Sequence, residues 1–99
     1  MEPPEEILVR VLATVRETIE TPELGRFALA RGEVPQQDAM RAGADAVLEV
    51  YRADTSAEAA RVLGYLEEQL RDDPKRGEVA PGEGTRVYVA LWAMESIAH

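Results

Sequence analysis

The stretch TRVYVALWAMESIAH, residues 85–99, decides the fold, because it holds the only Trp and the longest apolar run. Between Val87 and Met94 the Tyr88 hydroxyl is the only polar side-chain group. Read as a helix, the stretch has two apolar sides: Val87, Leu91, Met94 and Ala98 on one, and Val89, Trp92, Ala93 and Ile97 on another. A helix that is apolar nearly all round is a buried one, so the expectation is a central C-terminal helix on which the rest of the chain packs. The β-branched Val87 and Val89 keep a second arrangement open, an α fold with a small β-hairpin near residues 78–89. In it, Glu78 to Ala80 would pair with Arg86 to Val89 through a turn at Pro81-Gly82.

Working outward, the preceding segments read as further helices. Residues 4–20 open with Pro4, Glu5 and Glu6, which suit a helix N-terminus. They carry one stripe of Leu8, Val11, Leu12, Val15 and Ile19. Thr21-Pro22-Glu23 reads as a cap for a short helix over residues 22–31, with Leu24, Phe27 and Ala28 inward and Gly32 as its stop. Residues 36–53 read as a long helix after Pro35, with Met40, Ala44, Val47, Leu48 and Tyr51 as its main stripe and Ala39, Ala42, Gly43 and Ala46 as a small-residue face. Gly43 would mark either a close helix crossing or a glycine tolerated at about 1 kcal/mol relative to Ala. Thr55-Ser56-Ala57-Glu58 matches a capping box and opens a helix over residues 56–72, with Ala59, Val62, Leu63, Leu66 and Leu70 in register. The short link between residues 53 and 56 predicts an antiparallel pair. DPKRGEVAPGEG, residues 73–84, is too rich in Gly and Pro for helix or long strand and reads as a loop.

The fold expected is therefore all-α: one domain over residues 1–99, a compact and mostly antiparallel bundle of four main helices plus one short helix, with a Gly/Pro-rich loop at 73–84.

Composition narrows the function. The chain of 99 residues is 45% hydrophobic, enough for one modest core. The lack of cysteine excludes disulfides, a thiolate nucleophile and cysteine zinc sites, and the sole histidine is His99. The opening MEPPEE lacks the positive charge of an export signal, and no run approaches the roughly 20 apolar residues of a membrane span. The expected setting is the cytoplasm, without membrane contact. A net charge of −8 opposes binding to phosphate backbones and makes nucleic acid an unfavoured partner.

No catalytic, cofactor-binding or metal-binding residues stand out, and no cofactor is expected. Gly77 to Gly82 has the glycine spacing of a phosphate-binding loop, but Glu83 stands where Lys is needed and Pro81 lacks an amide. Asp38, Arg41, Asp45, Glu49 and Arg52 alternate in sign along one face of the 36–53 helix, the pattern of a solvated surface rather than a metal cluster. The Gln36-Gln37 start of that helix gives residues 24–50 a helix-turn-helix outline without the basic excess that DNA demands. Tyr88, Trp92, Tyr51 and Phe27 are the candidate interface residues, since aromatics are enriched at binding hot spots. The function expected is a small acidic protein-protein interaction or regulatory protein whose partner is itself, as a homodimer, or another protein. An all-α, carboxylate and Mg²⁺-dependent enzyme of nucleotide pyrophosphohydrolase type is the alternative, and a nucleic-acid-associated regulator the second.

Overall fold

Residues 86–93 form a strand, and it is the centre of a sheet. A computed structural model describes residues 4–79 and 82–94, in the order α1 (Glu5–Ile19), β1 (Leu24–Gly32), α2 (Pro35–Arg41), β2 (Ala46–Arg52), α3 (Ser56–Gln69) and β3 (Arg86–Ala93). The sheet order is β1-β3-β2, and both outer strands are antiparallel to β3. β1 and β2 thus run in the same direction with β3 inserted between them, and α2 is the crossover that joins them.

The all-α bundle is therefore incorrect: the described chain is α+β, with three helices and a three-stranded antiparallel sheet. The reason lies in the two apolar sides of residues 85–99. Over Arg86–Ala93 the apolar residues alternate between two faces with period two, rather than with the period of a helix. Val87 and Val89 face a core built with Val11, Leu12, Val15 and Ile19 of α1 and Ala59, Val62 and Leu66 of α3. Tyr88, Ala90 and Trp92 face the opposite way, toward Ala39 of α2. A strand covered on both faces loses the usual polar alternation and reads as a continuous apolar run. Met94 continues the pairing through its amide, which donates to the Glu23 carbonyl at 2.7 Å. The hairpin alternative does not form either: β3 pairs with β1 and β2, and Glu78 and Val79 lie outside any strand. Ala80, Pro81 and the expected helical positions Ile97, Ala98 and His99 lie outside the described residues.

The same cause accounts for the other corrections. Residues 22–31 read as helix from the Thr21-Pro22-Glu23 cap, the spacing of Leu24, Phe27 and Ala28 and the Gly32 stop, but Leu24–Gly32 is β1. Phe27 and Leu29 face one core and Ala28 and Ala30 the other, so burial overrides a weak helical propensity. The 36–53 helix divides. α2 stops at Arg41, where Gly43 adopts φ +81°. The Gly43 amide donates to the Met40 carbonyl at 3.0 Å and the Ala44 amide to Ala39 at 3.0 Å, the paired bonds of a Schellman motif. No neighbouring atom crowds Gly43, so it marks a helix stop and not a close crossing. With the helix goes its charged face, along with the helix-turn-helix outline and the antiparallel helix pair.

α1 and α3 match their periodicity. In α3 the Thr55 hydroxyl accepts from the Glu58 amide at 3.1 Å, and Glu58 Oε2 accepts from the amide of Asp54, one residue before the cap, at 2.9 Å. The outer edge of β1 is closed by residues 75–77: the Phe27 amide donates to the Lys75 carbonyl at 3.0 Å and the Gly77 amide to the Phe27 carbonyl at 2.7 Å. Lys75 Nζ holds this segment down by donating to the Ile19 and Thr21 carbonyls at the end of α1. β2 carries an irregularity between Glu49 and Tyr51, a bulge that bends an outer strand and disfavours further pairing.

Candidate binding groove

The α2 side of the sheet is only partly covered, and the open part is a groove of about 590 Å³. Arg26, Tyr88 and Asp38 line it with Arg41 from α2 and Glu78 and Val79 from the segment after α3. Its most unusual member is Arg26, a lone charge in the otherwise apolar run from Leu24 to Ala30. A register shift on β1 between Leu24 and Arg26 puts it there. Without the shift the two would share a face. With it, Leu24 enters the helix-side core while Arg26 stands directly across from Trp92 on the groove side. Bulges re-aim side chains in this way.

The Arg26 guanidinium lies 4.1 Å from the centroid of the Trp92 ring, a cation-π contact that contributes about 0.5–2 kcal/mol and fixes the plane of the group. Gly77 passes over the arginine stem so closely that a Cβ there would meet Arg26 Cδ at 2.6 Å. Arg26 Nε is buried and has no hydrogen-bond partner among the described residues. Nor does the guanidinium form an ion pair with any of them. A chain with nineteen acidic side chains thus leaves this half-buried cation without a carboxylate from its described residues.

Further along the strands, Asp38 of α2 leans over Gly32, where a Cβ would collide with its carboxylate. Its ion pair is with Arg41 at 3.9 Å, long and largely exposed, and such pairs hold little. Tyr88 lies beneath, buried; burial first and the Asp38 charge second push its pKa above the ordinary tyrosine value, which keeps the phenol neutral. The rim is firm. Glu33 accepts from the Thr85 amide at 2.8 Å and from its hydroxyl at 3.3 Å. Gly84 lies so near Gly32 that neither backbone leaves room for a Cβ at position 84. Arg31 also contributes to the groove lining and is held by its bonds to the Ser56 hydroxyl at 2.6 Å and to the Gly84 carbonyl at 3.2 Å, both of which it donates.

The four candidate interface residues separate. Tyr88 lines the groove with Arg26, and Trp92 is buried against Arg26 rather than in the groove lining. Phe27 is fully buried in the helix-side core. Tyr51 is half-buried beside α3, its hydroxyl donating to Glu58 Oε1 at 2.9 Å, with its pKa raised by burial and then by that bond and the carboxylate charge. Asp45 and Glu49 are likewise parted: Asp45 Oδ2 accepts from the Ala93 amide at 2.8 Å, and Glu49 stands beside Arg52 and Arg86. Among the described residues no group of three acidic or histidine side chains is placed to hold a metal ion. Sequence reasoning missed Arg26, Asp38 and Arg41, and the one signal for them was the isolated charge of Arg26 inside an apolar run.

Compared with protein families, curated proteins and solved structures, the chain finds no match. No helix among the described residues is long and apolar enough to cross a membrane.

Proposed function

We propose that the chain is a small protein-interaction domain of the cytoplasm that recognises a partner in the groove between α2 and residues 77–79. The observation that supports this is Arg26, held in plane by Trp92 and without an acidic partner among the described residues. An unpaired cation in a partly covered site is costly unless a ligand completes it. Preorganised arginine beside tryptophan and tyrosine is also the side-chain chemistry of binding hot spots. The described residues that line the groove include no nucleophile paired with a base, which supports recognition rather than turnover as the reading. The test is capture from the source-cell extract with wild-type bait and with Arg26→Gln. A partner retained by wild type and by the remote control Arg10→Gln, yet lost with Arg26→Gln, supports the groove; equal retention by all three baits rejects it.

Self-association is a second reading. Val9, Val34 and Met40 are exposed, Met40 by 73%, and they sit on or beside α1 and α2, the two helices that flank β2. The β2 bulge disfavours strand addition, so a homodimer would use these apolar side chains instead. Light scattering after gel filtration decides it: a dimer that Met40→Lys converts to monomer supports the reading, and a wild-type monomer at 100 μM, a concentration on the order of the weakest specific interfaces, ends it.

A further inference from the structure

Resting on the groove reading above, we infer that the partner seats an Asp or Glu side chain on the open edge of the Arg26 guanidinium. Overall charge does not select the ligand. Among the described residues Arg26, Arg31 and Arg41 line the groove with Asp38, Glu78 and Glu83, three cations against three anions. The selection comes from which of these charges are already engaged. Arg31 donates to the Ser56 hydroxyl and to the Ser56 and Gly84 carbonyls, and Arg41 meets Asp38 at 3.9 Å. Glu78 and Glu83 are exposed, and water solvates a carboxylate there at little cost. Arg26 is half-buried and has neither a hydrogen-bond acceptor nor an ion pair among the described residues.

The two ends of the guanidinium differ. Nε is shut off from solvent beneath Gly77, where a Cβ would stand 3.0 Å from it. Nη1 and Nη2 likewise donate to no described residue but keep contact with solvent, so the fork opens into the groove that Arg26 lines. The Trp92 ring, its centroid 4.1 Å from Cζ, covers one face of the group and leaves the fork to be met edge-on. Two parallel N–H donors in a fixed plane match the two oxygens of a carboxylate, whereas an ammonium in the same place would be a point charge without that plane. Phosphate recognition uses clusters of arginines, and here a single fork is free. On the groove reading the ligand is a protein surface, and the carboxylates that such a surface offers are Asp and Glu side chains. A partner that covered the fork with an apolar group would leave its donors desolvated and unpaired, which is costly, so the same geometry rejects partners without the acid.

The probe is a library of random heptapeptides joined to a phage coat protein through their C-termini, so that every carboxylate displayed is a side chain. It is panned in parallel on the wild-type chain and on Arg26→Gln. The expected result is a set of sequences retained by wild type alone that share one Asp or Glu. In a synthetic peptide of that set, titrated by calorimetry, replacing the shared acid by its amide, Asn or Gln, should weaken binding to wild type at least about tenfold, a factor equal to about 1.4 kcal/mol. On Arg26→Gln the same replacement should change affinity by less than about twofold, because the two groups are coupled. Arg26→Lys, which keeps the charge and loses the fork, should bind the acidic peptide more weakly than wild type. Retained sequences without a shared acid, an equal loss on both proteins, tighter binding of the peptide with phosphoserine in place of the acid, or no retained peptide at all each overturns the inference. Should Arg26→Gln fail to fold, the acid and amide comparison on wild type and on Arg26→Lys still decides. Peptides that need Arg26 but no acid would sink this inference and leave the groove reading in place, whereas peptides held alike by wild type and Arg26→Gln would sink both.

Discussion

Two glycines separate the observed fold from a helical one by the sign of a stability change. Gly64 lies in the middle of α3 and Gly43 just after α2, and a methyl group built on either meets nothing within 4 Å. Sterics with neighbours are therefore equal, and only backbone conformation differs. At Gly64, alanine gains its helix propensity, about 0.8–1 kcal/mol. At Gly43, with φ +81°, alanine is forced into the left-handed region at a cost of roughly 1–2 kcal/mol, of which about 0.4–1 is offset by the stiffer unfolded chain. Gly64→Ala should stabilise by about 0.9 kcal/mol and Gly43→Ala destabilise by about 0.5–1. With a urea slope of about 1.5 kcal/mol per M for a domain of this size, the midpoints should move by roughly 0.6 M upward and 0.5 M downward. The assay is equilibrium urea unfolding followed by Trp92 fluorescence and by far-ultraviolet circular dichroism, with unchanged slopes. Were residues 36–53 one continuous helix, both substitutions would stabilise. A midpoint for Gly43→Ala above that of the wild type would refute the division into α2, Schellman stop and β2.

Trp92→Ala, at a position 6% exposed, should cost about 3–5 kcal/mol in urea titration, monitored by circular dichroism because the fluorophore is gone; a cost below about 1 kcal/mol would mean the ring is not packed. Tyr88 has a folded pKa raised above its unfolded value, so its contribution is complete below about pH 10 and disappears as pH climbs through the folded pKa; Tyr88→Phe should lose less stability than wild type between pH 9 and pH 11 in thermal melts. Glu58 has a folded pKa lowered first by the Asp54 amide and then by the Tyr51 hydroxyl, so its contribution is present above its unfolded pKa of about 4.3 and fades as pH falls through the folded one. Glu58→Gln should flatten the acid limb of stability between pH 5 and pH 3, and an unchanged limb would show that the cap does not form in solution.

What the sequence made legible were the elements whose stabilising contacts are local. α1 and α3 face one core with one stripe, and α3 carries its Thr55 cap beside it, so Leu8 to Ile19 and Thr55 to Leu66 disclose their form in a window of a few turns. The strands do not. β1, β2 and β3 contain Ala, Leu, Arg and Glu, residues content in a helix, and what makes them strands is pairing between positions remote in the chain, which no local window contains. Gly43 was the legible exception: a glycine after Met40-Arg41-Ala42 and before the β-rich Val47 to Tyr51 is a helix stop by its chemistry, and reading it as tolerated inside a helix merged α2 with β2. The groove was hidden for the same reason as the sheet, since Arg26 meets Trp92 only across β1 and β3. Its one trace was a charge with no local partner.

The position of β3 between two strands that precede it has a consequence for biosynthesis. In the folded sheet β1 and β2 lie two strand spacings apart, about 9.5 Å, and β3 is the neighbour they share, so neither pairs with the other. Even the rim contact from Arg31 Nη1 to the Gly84 carbonyl joins positions 53 apart. Such non-local closure is slow and leaves apolar faces open to aggregation meanwhile. Phe27, Leu29 and Val62 share their core with Val87 and Val89 of β3, so a chain cut before Thr85 would leave those apolar side chains without their central strand.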